Sequence, residues 1–303
     1  MSVVELESRE VALETPTGGL WSDAWKRLRR NPGAIVGFVV VGTFVFVAIT
    51  APLLALAPPD EQHLNRIRLG CCPGPSWAHP FGIDELGRDE FTRVLYGTRY
   101  SLMIGVVSVS VGLSIGMVLG AIAGYLGGFV DSIVMRAMDI MLAIPGFLLA
   151  IGIVALLGPG IFQIMAAVGV ANIPIFARLL RGSILALRES DFVLAARAVG
   201  VPRRSILAAH ILPNAMSPVI VQGTLALATA IIDVAGLGFL GLGPQDPATP
   251  EWGTMLTGTV RYLQTAPHLA IIPGVAIVVS CLGFNMIGDG LREALDPKLR
   301  GRA

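Results

Sequence analysis

The sequence predicts an all-α membrane protein with six transmembrane helices, and three observations predict it. Of 303 residues, 54% are hydrophobic and only 14% are charged, with a mean hydropathy of +0.73. A soluble domain carries about 25% charged residues, so lipid must be the solvent for much of this chain. Six apolar stretches are each long enough to cross a bilayer, and arginines and lysines collect in alternate connections.

Taken in order, an N-terminal segment, residues 1–32, is acidic at Glu5, Glu7, Glu10 and Glu14 and turns basic at Lys26, Arg27, Arg29 and Arg30. Asn31-Pro32 reads as a helix cap followed by proline at the first helical position, so the first span covers 33–57. That run is far longer than the roughly 7–15 residues of a signal-peptide core, and its Ala55-x-Ala57 imitates a cleavage site. It is read as an uncleaved anchor. A polar loop, 58–99, leads to a core, 100–291, with five spans near 100–124, 132–157, 161–187, 214–240 and 268–291. Gly127-Gly128 turns the chain before the third of the six spans, Gly158-Pro159-Gly160 ends it, and Pro174 predicts a kink in the fourth. A polar stretch, 188–213, joins the fourth and fifth spans, and a short basic tail, 292–303, closes the chain.

The basic residues set an orientation. With the N-terminus in the cytoplasm, Lys26 to Arg30, Arg136, Arg178, Arg181, Arg188, Arg197, Arg203, Arg204 and the tail lie inside. Arg66, Arg68, Arg88, Arg93, Arg99 and Arg261 lie outside, mostly beside carboxylates in the long loop. A net charge of +1 gives no reason to expect a nucleic-acid partner. No internal repeat is visible, which disfavours a self-contained carrier built from inverted halves. Cys281 lies in an apolar run and reads as a packing residue. The adjacent Cys71 and Cys72 allow a vicinal disulfide, a metal contact or an incidental role.

Several motifs resolve into packing. Ser108, Gly112, Gly116, Gly120 and Gly124 recur every four residues, leaving one flat helix face for close approach of another backbone. Within it, Gly112-Leu-Ser114-Ile-Gly116 matches a hydrolase nucleophile pattern but lacks the strand-to-helix turn that gives the pattern meaning. Gly236-x-Gly238-x-x-Gly241 matches a dinucleotide fingerprint yet ends a transmembrane helix. Neither lysine follows a glycine, so no phosphate loop is present. Asp139, Asp233 and Asp289 fall within or at the ends of spans, where a central charge costs roughly 2.5–3.5 kcal/mol on insertion scales. Asp139 and Asp289 are expected near the cytoplasmic face. Asp233 is the deepest and has two readings, a translocation-pathway residue or a hydrogen bond to a neighbouring helix.

The segment 189–214 is the most informative. Ser190 can cap a short helix that Gly200 ends, and Phe192, Val193, Ala196 and Val199 fall on one face. Pro202 opens a second short helix, with Arg203 and Arg204 at its start and Leu212-Pro213 at its end. Such an amphipathic element can lie on the membrane or dock in a partner's groove. Two short helices meeting at a glycine form a rigid knob, which favours docking.

This segment resembles the cytoplasmic coupling loop of ABC-importer permeases, a Glu-Ala-Ala followed by a glycine and later by Ile-x-Leu-Pro. Ala195-Ala196, Gly200 and Leu212-Pro213 match, Leu194 stands where the glutamate is usual, and His210-Ile211 fills the hydrophobic pair loosely. Further segments are similar to the dipeptide/oligopeptide (nickel) family, and to the second of its two permeases. They are His79-Pro-Phe-Gly-Ile-Asp-Glu-Leu-Gly-Arg-Asp89 with Arg93 and Gly97-Thr-Arg99, Arg136-Ala-Met-Asp139 with Ile144-Pro145, and Gly238-Phe-Leu-Gly-Leu-Gly243. Trp252-Gly-Thr-Met-Leu256, Pro273-Gly274, Asn285 to Asp289 and Asp296-Pro-Lys-Leu-Arg300 complete the set.

The resemblance implies a type I importer permease (MetI-like) fold in the bacterial inner membrane, with both termini cytoplasmic. It implies half of a translocation pathway for dipeptides or oligopeptides, with nickel chelates or glutathione as alternative cargo and a stand-alone channel or secondary carrier as a remote rival. Phe192, Leu194, Ala195, Ala196, Gly200, Arg203, Leu212 and Pro213 are expected to meet the ATPase. The implied partners are a sister permease, one or two cytoplasmic ATPase subunits and an extracytoplasmic binding protein. ATP and magnesium are expected on the ATPase, with no cofactor, metal or catalytic residue in this chain.

Overall fold

The computed structural model describes residues 20–62, 67 and 71–295. The acidic segment at Glu5 to Glu14, Arg66, Arg68 and the motif at Asp296 to Arg300 lie outside the described residues. A short helix α1 (Leu20–Leu28) precedes the first span, α2 (Pro32–Leu54), whose cap Asn31 accepts from the Ala34 amide at 3.0 Å. Next come α3 (Glu90–Leu126), α4 (Gly128–Leu142), α5 (Gly146–Leu157) and α6 (Ile161–Arg188). Beyond α6 lie α7 (Asp191–Ala198), a single turn α8 (Arg203–Ser205), a π-helical stretch (Ile206–Ile211) and α9 (Leu212–Leu237). A second π-helical stretch (Gly238–Leu242), the short α10 (Trp252–Leu256) and the long α11 (His268–Leu295) complete the chain.

Five of these helices are long and apolar enough to span a membrane, and the bent pair α4–α5 makes a sixth. The third span is therefore not the continuous helix expected over 132–157. It breaks after Leu142 and resumes at Gly146 at an angle of 87°. The cause is local: Pro145 has no amide hydrogen and disfavours helical geometry at Ile144 before it. Apolar periodicity carries straight through such a break and hides it. By contrast, α6 remains one helix through Pro174. The second span starts at Glu90 rather than near Tyr100; its 37 residues reach about 55 Å at 1.5 Å per residue, beyond a bilayer core.

The contact between α3 and α6 organises the interior, and the four-residue glycine stripe makes it. A Cβ on Gly112 would meet the Gly169 carbonyl at 2.6 Å, and one on Gly116 would meet the Ile173 carbonyl and Phe176 Cβ at 2.7 Å. Gly120 faces the Ala177 backbone, and Gly124 faces Ile184 at 3.1 Å. Without the hydrophobic effect to join helices in lipid, backbones this close maximise dispersion contact. Phe176, Leu180 and Ile184 are fully buried behind the seam. Asp131 to Arg181 and Asp139 to Arg178 then pair α4 with α6. A second small-residue seam joins α2 to α11, where Gly37 faces the Gly283 carbonyl and Gly290 faces Ala34.

The polar loop folds onto the bundle through the His79–Asp89 segment. Asp89 caps α3 by accepting from Thr92, and its other oxygen meets His79 Nδ1 at 2.8 Å. Asp84 takes Arg88 Nε at 2.6 Å and faces Arg93, which also donates to the Pro59 and Pro247 carbonyls. Cys71 and Cys72 are paired here as a vicinal disulfide, one of the readings their adjacency allows.

The Gly236–Gly241 pattern belongs to an all-helical packing site. Gly238 lies against the backbone of Gly253 and Thr254, and Trp252 is fully buried, donates its indole N–H to the Val94 carbonyl and packs on Gly97 and Phe44. Glu251, also fully buried, caps α10 by accepting from Gly253, Thr254 and the Ser101 hydroxyl. Burial pushes its carboxyl from the usual 4.5 up to about 7.

Gly116→Leu places a side chain where the Ile173 carbonyl sits, and overpacking of this kind costs about 1–3 kcal/mol or more. Thermal unfolding in detergent is expected to drop clearly for this variant and to be unchanged for Gly42→Leu, whose position has open space. Between pH 4.5 and 7 the unfolded chain ionises Glu251 while the folded chain keeps it protonated, so this group's contribution to stability falls as pH rises through that window. Glu251→Gln is expected to flatten that part of the melting-temperature profile; an unchanged slope would contradict the assignment.

Candidate functional site

The elbow between α6 and α9 is built from local signals and then anchored by burial. Ser190 occupies the N-cap position of α7, but its hydroxyl donates back to the Leu187 carbonyl at 2.6 Å and does not cap an amide. Asp191 in the first turn and Arg197 in the last suit the helix dipole. At the other end Gly200 has φ +86°, its amide reaches the Arg197 carbonyl, and the Val201 amide reaches the Ala196 carbonyl. That paired arrangement is a Schellman stop, and glycine takes its left-handed position without a Cβ penalty.

The predicted apolar face divides in two. Val193 is fully buried, and Ala196, Val201, Ile206 and Ile211 join it in the main core. Phe192 is 41% exposed, Leu194 45% and Val199 85%, with Ala195, Gly200 and Arg203 also exposed. The inner residues hold the elbow to its own bundle, and Phe192, Leu194 and Val199 form an exposed apolar patch. Phe192, Val193, Ala196 and Val199, expected on one face, therefore divide between the two sides of the helix.

A second correction concerns Leu212-Pro213. They do not end a short helix; after α8 the chain passes through the π-helical stretch into α9, so that 203–242 forms one 40-residue span. Pro213 lies just after the π-helical stretch, where the change in hydrogen-bond register accommodates its missing amide hydrogen. Leu212 is half-buried and Pro213 exposed. The elbow is consequently the solid end of α9, and Asp233 rides on the same helix.

Asp233 is half-buried and makes no hydrogen bond or ion pair among the described residues, so the second of its two readings, a bond to a neighbouring helix, finds no partner there. Asp139 pairs with Arg178, and Asp289 is exposed. Sequence reasoning missed Glu251, Asp131 with Arg181, and Arg188, which donates to the Gly124 carbonyl at 3.0 Å. The sequence shows the arginines only as an orientation signal, and Glu251 lies in a loop, where a carboxylate carries no sign of burial.

Residues 116–301 match the family model of the binding-protein-dependent transport system inner membrane component. The chain belongs to that family. Residues 19–70 also match the N-terminal TM domain of oligopeptide transport permease C. It is 48% identical to the dipeptide transport system permease protein DppC of Alkalihalophilus pseudofirmus, over 92% of this chain and 90% of that one. It is likewise 48% identical to the glutathione transport system permease protein GsiD of Salmonella paratyphi A, over 93% and 91%. Among solved structures, the inward-facing MetNI methionine ABC transporter superposes with a TM-score of 0.55 at 19% identity, covering 68% of this chain and 97% of that one. The fold is that of type I importer permeases, and the chain is an inner-membrane permease subunit.

Asp233→Ala removes a carboxylate with no partner among the described residues, so folding is expected to be unaffected while uptake by the assembled transporter falls several-fold if the side chain lines the pathway. Wild-type uptake would remove Asp233 from the pathway.

Proposed function

We propose that this chain forms half of the translocation pathway of an ATP-driven importer of short peptides, and that its elbow is the part moved by a separate ATPase. The observation that carries this is an element locked to α9 on one side and apolar and exposed on the other. A surface of Phe192, Leu194 and Val199 facing water is costly, and a hydrophobic groove on a cytoplasmic ATPase offsets that cost. The fourth-to-fifth connection then lies in the cytoplasm, as do both termini, in keeping with the arginine bias.

The chemistry of ATP belongs to the partners. This chain has no phosphate loop, and ATP with magnesium is assigned to one or two ATPase subunits. A sister permease supplies the other half of the pathway, and an extracytoplasmic binding protein delivers cargo. When the ATPase pair closes, the docked elbow moves as a rigid body. Because α9 continues from it without a flexible joint, the displacement reaches Asp233 and the helix seams, rocking the bundle between two packings.

Dipeptides and oligopeptides are the favoured cargo, on the strength of the near full-length relation to a dipeptide permease. Glutathione is a second reading, favoured by the equally similar glutathione permeases. Both are short peptides with charged ends. Mass spectrometry of the cargo held by the co-purified binding protein distinguishes them.

Phe192→Glu with Val199→Glu is expected to abolish co-purification of the ATPase while leaving membrane insertion intact. Gly200→Val, which strains a left-handed position, is expected to leave ATP hydrolysis running with uptake lost. Normal uptake by both variants, measured in proteoliposomes with all subunits, would refute the docking role.

A further inference from the structure

The cavity behind the elbow is distinct from its outer apolar patch. It measures about 270 Å³ and lies between the end of α3, the end of α6 and the elbow. The buried Ile206 and Ile211, with the exposed Leu126, supply its apolar lining, and Tyr125 lines it as well. Three guanidinium groups from three separate elements complete the lining, Arg188 from α6, Arg197 from α7 and Arg203 from α8. No carboxylate is among the lining residues.

Elsewhere in the molecule converging arginines meet counter-charges. Arg88 and Arg93 face Asp84, Arg178 faces Asp139, and Arg181 faces Asp131. Around this cavity they do not. Arg188 is held in place by its bond to the Gly124 carbonyl, while Arg197 and Arg203 make no ion pair or side-chain hydrogen bond among the described residues. Three like charges around one concave space repel one another unless an anion sits among them. Planar guanidinium forks match the oxygens of a phosphate, and the volume accommodates one with room to spare.

We propose that this cavity binds a phosphate-bearing anion, which clamps the elbow to the ends of α3 and α6. The anion reaches the site either as the headgroup of an anionic phospholipid in the adjacent leaflet or as a soluble phosphate. The proposal is independent of what docks on Phe192, Leu194 and Val199, because none of the three lines the cavity.

The test uses the intact complex, with all its partner subunits, in two arms. In one, complexes taken from liposomes of phosphatidylcholine with phosphatidylglycerol are delipidated and retained lipid is counted by native mass spectrometry. In the other, thermal unfolding is compared in sodium phosphate and in sodium chloride at equal ionic strength. Arg197→Gln with Arg203→Gln is expected to weaken binding at least about tenfold, as loss of two charge-assisted hydrogen bonds requires. Arg197→Lys with Arg203→Lys is expected to restore part of it, and Arg203→Gln alone serves if the double variant does not assemble. Arginine-dependent retention of phosphatidylglycerol identifies the lipid source; an arginine-dependent phosphate shift without it identifies the soluble one. Absence of both effects overturns the proposal. So does loss of ATPase co-purification with no anion effect in either arm, which would assign the arginines to a carboxylate on that partner.

Discussion

The structure depends on how closely α3 and α6 approach. In lipid, apolar side chains gain nothing by leaving solvent, so a bundle is held by contact area and by satisfied polar groups. Gly112, Gly116, Gly120 and Gly124 let the α6 backbone lie directly on α3, and the buried face of α6 begins there. That face carries Ile164, Phe176, Leu180 and Ile184 into the main core, against which α5, α7 and α9 also pack. The elbow hangs from the end of α6, so its position is set by the same seam.

The elbow is stiff for reasons that are separate and additive in effect. A Schellman stop at Gly200 fixes the turn, Val193 and Ile206 bury into the bundle, and the following π-helical stretch merges with α9 instead of ending in a loop. A push on its outer face therefore has no flexible segment in which to dissipate. Elements that transmit motion need this combination of a rigid body and a limited set of packings. The α4–α5 break supplies the contrasting behaviour, a sharp corner in the third span whose first limb is held to α6 by two ion pairs.

Polar groups inside the fold are arranged by partner and not by depth. Glu251 takes three donors and remains partly protonated near neutrality, because burial outweighs those bonds. The Asp84, Arg88 and Arg93 cluster ties the long loop to the start of α3, and Arg93 reaches both the 58–62 and 246–250 segments. Asp233 differs from these in having no hydrogen-bond or ion-pair partner among the described residues, which leaves its carboxylate open to the pathway role proposed for it.

The sequence by itself determined the solvent, the count of spans and the all-helical class. Those follow from backbone satisfaction in lipid, which is local to each helix and written in runs of apolar residues. It also marked Asn31-Pro32, the glycine stripe and Gly200, because caps, small-residue spacing and left-handed stops act over a few positions. Only the tertiary structure decided which residues of α7 turn inward, since Val193 and Val199 are alike in chemistry and differ only in what packs beside them. The same holds for Leu212-Pro213, where proline reads as a stop until the helix before it is seen to merge, and for Pro145, where it breaks a span that Pro174 does not. Arg188, Arg197 and Arg203 lie apart in sequence and on different elements. Their convergence on one cavity is a product of the fold, and no pattern along the chain could have announced it.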